Sequence, residues 1–126
     1  MSGDYNATKN TLRSLRSNAS NLLILLQMAS NNRNTSKILE RMTSAIQNHF
    51  DRVEALGISI PEENKREHRR LRKYSEEMES SWRKRKLSHI DYADALNFNL
   101  YNHFSTYFKA LLDRELGEGS TLDFRL

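Results

Sequence analysis

"QNHFDRVEALGISIPEENKREHRRL", Gln47–Leu71, decides the fold of this chain. Upstream of Gly57, apolar residues and one histidine recur at three- and four-residue steps: Ile38, Met42, Ala45, Ile46, His49, Val53 and Leu56. That spacing is one stripe of an amphipathic helix. Gly57 supplies the turn that ends it. Pro61 suits the first turn of the next helix, where its missing N–H has no partner to lose. Glu62 and Glu63 favour the positive end of that helix. Beyond them His68, Leu71, Met78 and Trp82 lie on one side, with Tyr74 beside them. The stretch therefore reads as two antiparallel helices, about 36–56 and 61–86, joined by a short loop.

Working outward, Leu12, Leu15, Ala19, Leu22, Leu23 and Leu26 predict a first helix over about 5–29. "SNNRNTS", 30–36, is a polar break in which Thr35 or Ser36 can cap the next helix. "LSHIDY" opens a last helix over about 89–116, with Ser88 as cap, Asp91 as its partner and His89 in the loop. Ala93, Leu96, Leu100, His103, Tyr107, Ala110 and Leu111 form its stripe. Residues 117–126 read as a tail whose Leu122, Phe124 and Leu126 either dock back or stay loose. The expected fold is all-α: an up-down-up-down four-helix bundle in a single domain over 1–126.

Composition fits that reading. Four glycines and one proline punctuate 126 residues, and there is no cysteine for disulfides or thiolate metal sites. The net charge of +4 is mild. The N-terminus lacks the pattern of a signal peptide, and "LLILL", Leu22–Leu26, is too short to span a bilayer. A cytoplasmic protein without membrane contact is expected.

Three of the four histidines fall on the apolar stripe of three different helices. His49 lies eight residues before Gly57 and His68 seven after Pro61, so each sits about 10–12 Å from the same end. His103 falls within roughly a turn of His68 if the last two helices run antiparallel. The count predicts one layer of three imidazoles.

Here the chain resembles the hemerythrin-like proteins, four-helix bundles that hold two irons in the core. "NHF" at 48–50 and "EHRRL" at 67–71 resemble the family's second and third helices, with the family's nineteen-residue step from His49 to His68. "LNFNLYNHF" at 96–104 resembles the fourth. The resemblance covers about half the chain well. It implies metal ligands at His49, His68 and His103. It also implies a bridging glutamate where Val53 stands, a histidine where Arg72 stands and a bridging aspartate where Phe108 stands. No histidine precedes His49. Bridging carboxylates offset the repulsion between two irons, and an arginine beside the pocket works against cations. Family-type oxygen binding is therefore not expected. The first reading has no cofactor; the alternative is one iron or zinc on the three imidazoles. Asp51 and Glu54 turn about 100–160° from the inward direction of Val53 and His49. Arg72 either snorkels outward along its stem, or its guanidinium fills the vacated metal pocket, bonded to Asp51, Glu54 or a tyrosine.

The stripe's opposite face is basic. Arg66, Arg69, Arg70 and Lys73 point outward, with expected pairs Glu62–Arg66, Glu67–Arg70, Arg72–Glu76, Lys73–Glu77 and Glu79–Arg83. Arg83, Lys84, Arg85 and Lys86 are less neutralised and could meet phosphate or an acidic surface. No acid/base pair, nucleophile constellation or phosphate loop is present in the sequence. Tyr92, Phe98, Tyr101, Phe104, Tyr107 and Phe108 cannot share one core stripe, so some either cover other elements or form a partner surface. The expectation is a non-enzymatic interaction or regulatory module, binding a protein partner or its own copies. The alternatives are a metal- or oxygen-responsive protein and a basic helical nucleic-acid binder, the last not favoured.

Overall fold

The computed structural model describes residues 2–31 and 36–117, with side chains from residue 5 onward. All regular structure among them is helical. The elements are α1 (Ser2–Asn31), α2 (Ser36–Glu40), α3 (Met42–Glu54), α4 (Glu62–Arg83), α5 (His89–His103), a π turn (Phe104–Phe108) and α6 (Lys109–Leu116). α1 packs on α3 and α5, and α4 packs on the same two. The space they enclose holds the core.

The stripes read from the sequence face the core, except that Ala110, expected on the last of them, is exposed, while Ile38, Ala45, Leu56, Met78, Trp82 and Tyr107 are only half-buried. Leu12, Leu15, Ala19, Leu22, Leu23 and Leu26 line α1, Ile46 and Val53 line α3, and Leu96 and Leu100 line α5. The helix ends follow local chemistry. Ser88 caps α5, its hydroxyl accepting from the Asp91 N–H at 3.0 Å. Gly57 and Gly117 take positive φ after α3 and α6, conformations open to glycine without a Cβ clash.

Four expectations about helix ends and breaks need correction as well. The helix over 36–56 is broken at Arg41 into α2 and α3, and α3 ends at Glu54. The helix over 61–86 stops at Arg83, because Arg85 turns left-handed (φ 59°). The Lys86 N–H then reaches back to the Ser81 carbonyl at 2.8 Å, closing the helix. The last helix is interrupted by the π turn. His89 is the first residue of α5, half-buried with its ring 6.0 Å from that of Trp82, rather than a loop residue. Thr35 as a cap and the docking of Leu122, Phe124 and Leu126 lie outside the described residues.

The π turn has a packing consequence. In a regular helix, His103 and Phe108 would be about 140° apart around the axis. A π turn holds an extra residue per turn, which brings position i+5 back toward the same side. His103, Phe104 and Phe108 are accordingly all buried.

Candidate functional site

The middle of the core is a layer of rings. His49 from α3, His68 from α4 and His103 from α5 are each 1–2 % exposed. The His68 and His103 rings lie 5.3 Å apart. Phe50 is wedged among them, stacked on His68 at 4.4 Å and edge-on to His103 at 5.2 Å. Phe104 and Phe108 each meet His49 edge-on at 5.1 Å. Val53 and Phe108 are buried apolar groups beside these rings.

Polar groups stand at the rim. The Asn18 amide nitrogen of α1 lies 3.1 Å from His49 Nδ1. If it donates there, Nε2 carries the ring proton, and Nε2 is buried without a partner. Glu54 Oε1 is 3.5 Å from His68 Nδ1, and Glu67 Oε1 is 3.8 Å from His103 Nδ1. Neither contact is a formed hydrogen bond, and both nitrogens are orphaned. Arginines hold the carboxylates instead. Arg72 Nη2 sits 2.9 Å from Glu54 Oε2 and 2.8 Å from Asp51 Oδ1. Arg70 grips both oxygens of Glu67 at 2.8 and 3.1 Å.

The layer is electrically neutral at ordinary pH. Burial first, then the neighbouring His68 and Arg52, pushes His49 from 6.5 down to about 3. Burial, followed by His68 and His49, holds His103 well below its usual value. His68 is also lowered, because burial outweighs the pull of Glu54.

Glu54 is a correction. Its backbone position turns outward, yet its flexible side chain reaches back to the rim of the layer. Asp51 does point to solvent, at 66 % exposure. Arg72 bonds Asp51 and Glu54 as expected, but it does not fill the pocket, which the phenyl rings occupy; it lies at the rim over Phe50, its guanidinium carbon 5.8 Å from the centroid. Among the described residues, no three His, Asp or Glu side chains form a group that could hold a metal ion.

The basic positions Arg66, Arg69, Arg70 and Lys73 are exposed, as are Arg83, Lys84, Arg85 and Lys86. Glu67–Arg70 and Glu79–Arg83 pair as the helix spacing predicts. Glu62 meets Arg69 at 3.4 Å rather than Arg66. Arg72 turns to α3 instead of Glu76, and Glu76 accepts from Gln47 at 2.7 Å. No Lys73–Glu77 pair forms among the described residues. Of the aromatics in α5 and the π turn, Tyr92, Phe104 and Phe108 are buried, while Phe98 and Tyr101 are exposed.

Sequence reasoning missed Phe50, Asn18 and the approach of Glu54 and Glu67 to the imidazoles, since it foresaw these acids only as partners of Arg72 and Arg70. Phe50 and Glu67 adjoin histidines, which was a usable signal. Asn18 borders the α1 stripe and carried none.

No family model, curated protein or solved structure matches this chain. No helix among the described residues is long and apolar enough to cross a membrane.

Proposed function

We propose that this chain is an up-down-up-down four-helix bundle of hemerythrin-like architecture whose core site has become a closed, neutral ring layer. Its role on this reading is non-enzymatic, an interaction or regulatory module of the cytoplasm. One observation carries it: Phe50, Phe104 and Phe108 fill the space between the imidazoles. The apolar Val53 and Phe108 do not fit a di-iron centre, whose bridging anions they replace. The rim acids are committed to Arg70 and Arg72. Metal analysis of untagged protein, with an absorption spectrum of the fresh preparation, tests the reading. Metal well below one equivalent and no visible band is expected; a stoichiometric metal would overturn it.

A second reading keeps one zinc or iron on His49, His68 and His103. It is favoured by the placement of Asn18, Glu54 and Glu67 beside the three Nδ1 atoms, the position from which outer groups orient metal-bound histidines. Such an ion would supply Lewis acidity or redox chemistry when bound. It also requires the three imidazoles, which form no metal-holding group as they stand, to close past Phe50, and the Asn18 amide to turn its oxygen to His49 Nδ1, freeing the Nε2 lone pair. Zinc titration followed by calorimetry separates the readings. Nucleic-acid binding through Arg83–Lys86 is the least supported reading, and it predicts affinity that falls steeply with salt.

A further inference from the structure

An apolar groove of about 300 Å³ runs between α1 and the α2–α3 segment, lined by Leu22, Leu25, Ile38, Met42 and Ala45. Lys37 and Arg41 border it. Both are exposed, and neither is ion-paired among the described residues. The adjoining length of α1, from Ser17 to Asn31, contains no charged residue. A second feature lies on α5. Phe98 is 67 % exposed, the most of any large apolar side chain described, and Ile90 and Tyr101 on the same helix are also exposed, at 40 and 45 %. Asp91 and Asp94 share this outer side, exposed and likewise without cation partners among the described residues.

The two features match in height. With the imidazole layer as zero, α3 and α5 are measured from His49 and His103. Ala45 and Phe98 stand about 6 and 8 Å above it, counting helical rise. Arg41 and Asp94 stand at about 12 and 14 Å, and Asp91 at about 18 Å. Lys37, in α2 one turn before the break at Arg41, lies on the same side of it. An aromatic knob with two acids beyond it meets an apolar groove bordered by two bases.

We propose that copies of this chain associate head to tail, Phe98 of one filling the groove of the next, with Asp94 opposite Arg41 and Asp91 opposite Lys37. α5 does not line the groove, so the two patches are different surfaces. Such a heterologous contact leaves a free knob and a free groove on each pair, and it continues to rings or chains. The inference deepens the interaction reading above, but it does not depend on whether the imidazole layer binds metal.

Sedimentation velocity over about 5–500 μM tests it, a range spanning the weak end of specific association. Wild type is expected to grow beyond dimer as concentration rises. Phe98→Asp removes the knob and Ala45→Arg blocks the groove; Arg41→Asp is the substitute if Ala45→Arg loses helicity. Each variant alone is expected to be monomeric with wild-type circular dichroism. Mixed, the groove of Phe98→Asp and the knob of the groove variant should form a capped 1:1 complex. Wild type that stays monomeric, variants that still assemble, or a mixture that gives no heterodimer would each overturn the proposal. Metal content separately decides the ring-layer reading, so the two failures are distinguishable.

Discussion

The phenyl ring of Phe50 lies flat on the imidazole of His68, with centroids 4.4 Å apart and planes 16° from parallel. A protonated imidazole in that position would carry charge into a core that water does not reach. The same holds for His49 and His103, whose neighbours are mostly rings. The layer is stable only while its histidines stay neutral.

Acid should therefore loosen the fold early. The histidines titrate near 6.5 when unfolded, and the folded values are lowered, to about 3 for His49. Between those limits the unfolded chain binds more protons, so stability is fully present above about pH 6.5 and falls as pH drops toward 3. The limiting slope is about 1.4 kcal/mol per pH unit for each histidine held neutral. Urea melts at pH 7.5, 6 and 5 should show it. His49→Leu should flatten the slope by about one histidine's share. An unchanged slope would mean that His49 is not kept neutral by the core.

Arg72 should matter more than its neighbours on the basic face. It holds Asp51 and Glu54 together, lies over Phe50 and is only 25 % exposed. Arg69 is 62 % exposed and meets Glu62 at 3.4 Å in solvent. Arg72→Ala should cost about 1–2 kcal/mol, through lost packing as much as lost charge. Arg69→Ala should cost less than about 0.5 kcal/mol. Equal melting temperatures would remove any special place for Arg72.

The histidines were legible because burial of a polar residue leaves it on an apolar period, and chain direction then sets its height. The exposed knob is half legible: six aromatics from Tyr92 to Phe108 cannot share one stripe, but nothing in the sequence singles out Phe98 among them. The break at Arg41 and the left-handed Arg85 were not, since neither carries a glycine or proline to announce it. The π turn was invisible for a related reason. "FSTYF" reads as ordinary helix, and only the need to bury His103, Phe104 and Phe108 together selects the wider turn. Helical period also misjudged Glu54, because it locates Cβ atoms and not the far ends of long side chains.

The C-terminus of α4 offers a stabilising substitution. Arg85 closes the helix at φ 59°, where a Cβ crowds the backbone and glycine does not. Its backbone N–H bonds the Trp82 carbonyl at 3.0 Å, a contact glycine would retain. Arg85→Gly should therefore raise stability by about 0.5–1 kcal/mol, the relief of strain exceeding the added freedom of the unfolded chain. Differential scanning calorimetry would read this as a higher Tm. A lower Tm would show that the Arg85 side chain contributes more than its backbone costs.

A deletion can test what the π turn does. Thr106 is exposed and sits within the turn, so it is the residue a regular helix would do without. Removing it places Phe108 four positions after His103 instead of five, and such positions share a helix face. Leu111, Leu112 and Leu116 then keep their burial, and the helix beyond the turn stays in register. The Tyr107 carbonyl, which accepts from the buried Asn64 amide at 3.1 Å, would shift. Losing that bond should cost about 1–2 kcal/mol. Deleting the exposed Glu77 from the regular helix α4 has no slack to consume. It would rotate Met78 and Trp82 by about 100° away from the core and should unfold the chain. Circular dichroism and urea melts of the two deletions would compare them. If both unfold alike, the wide turn is not a stored extra residue.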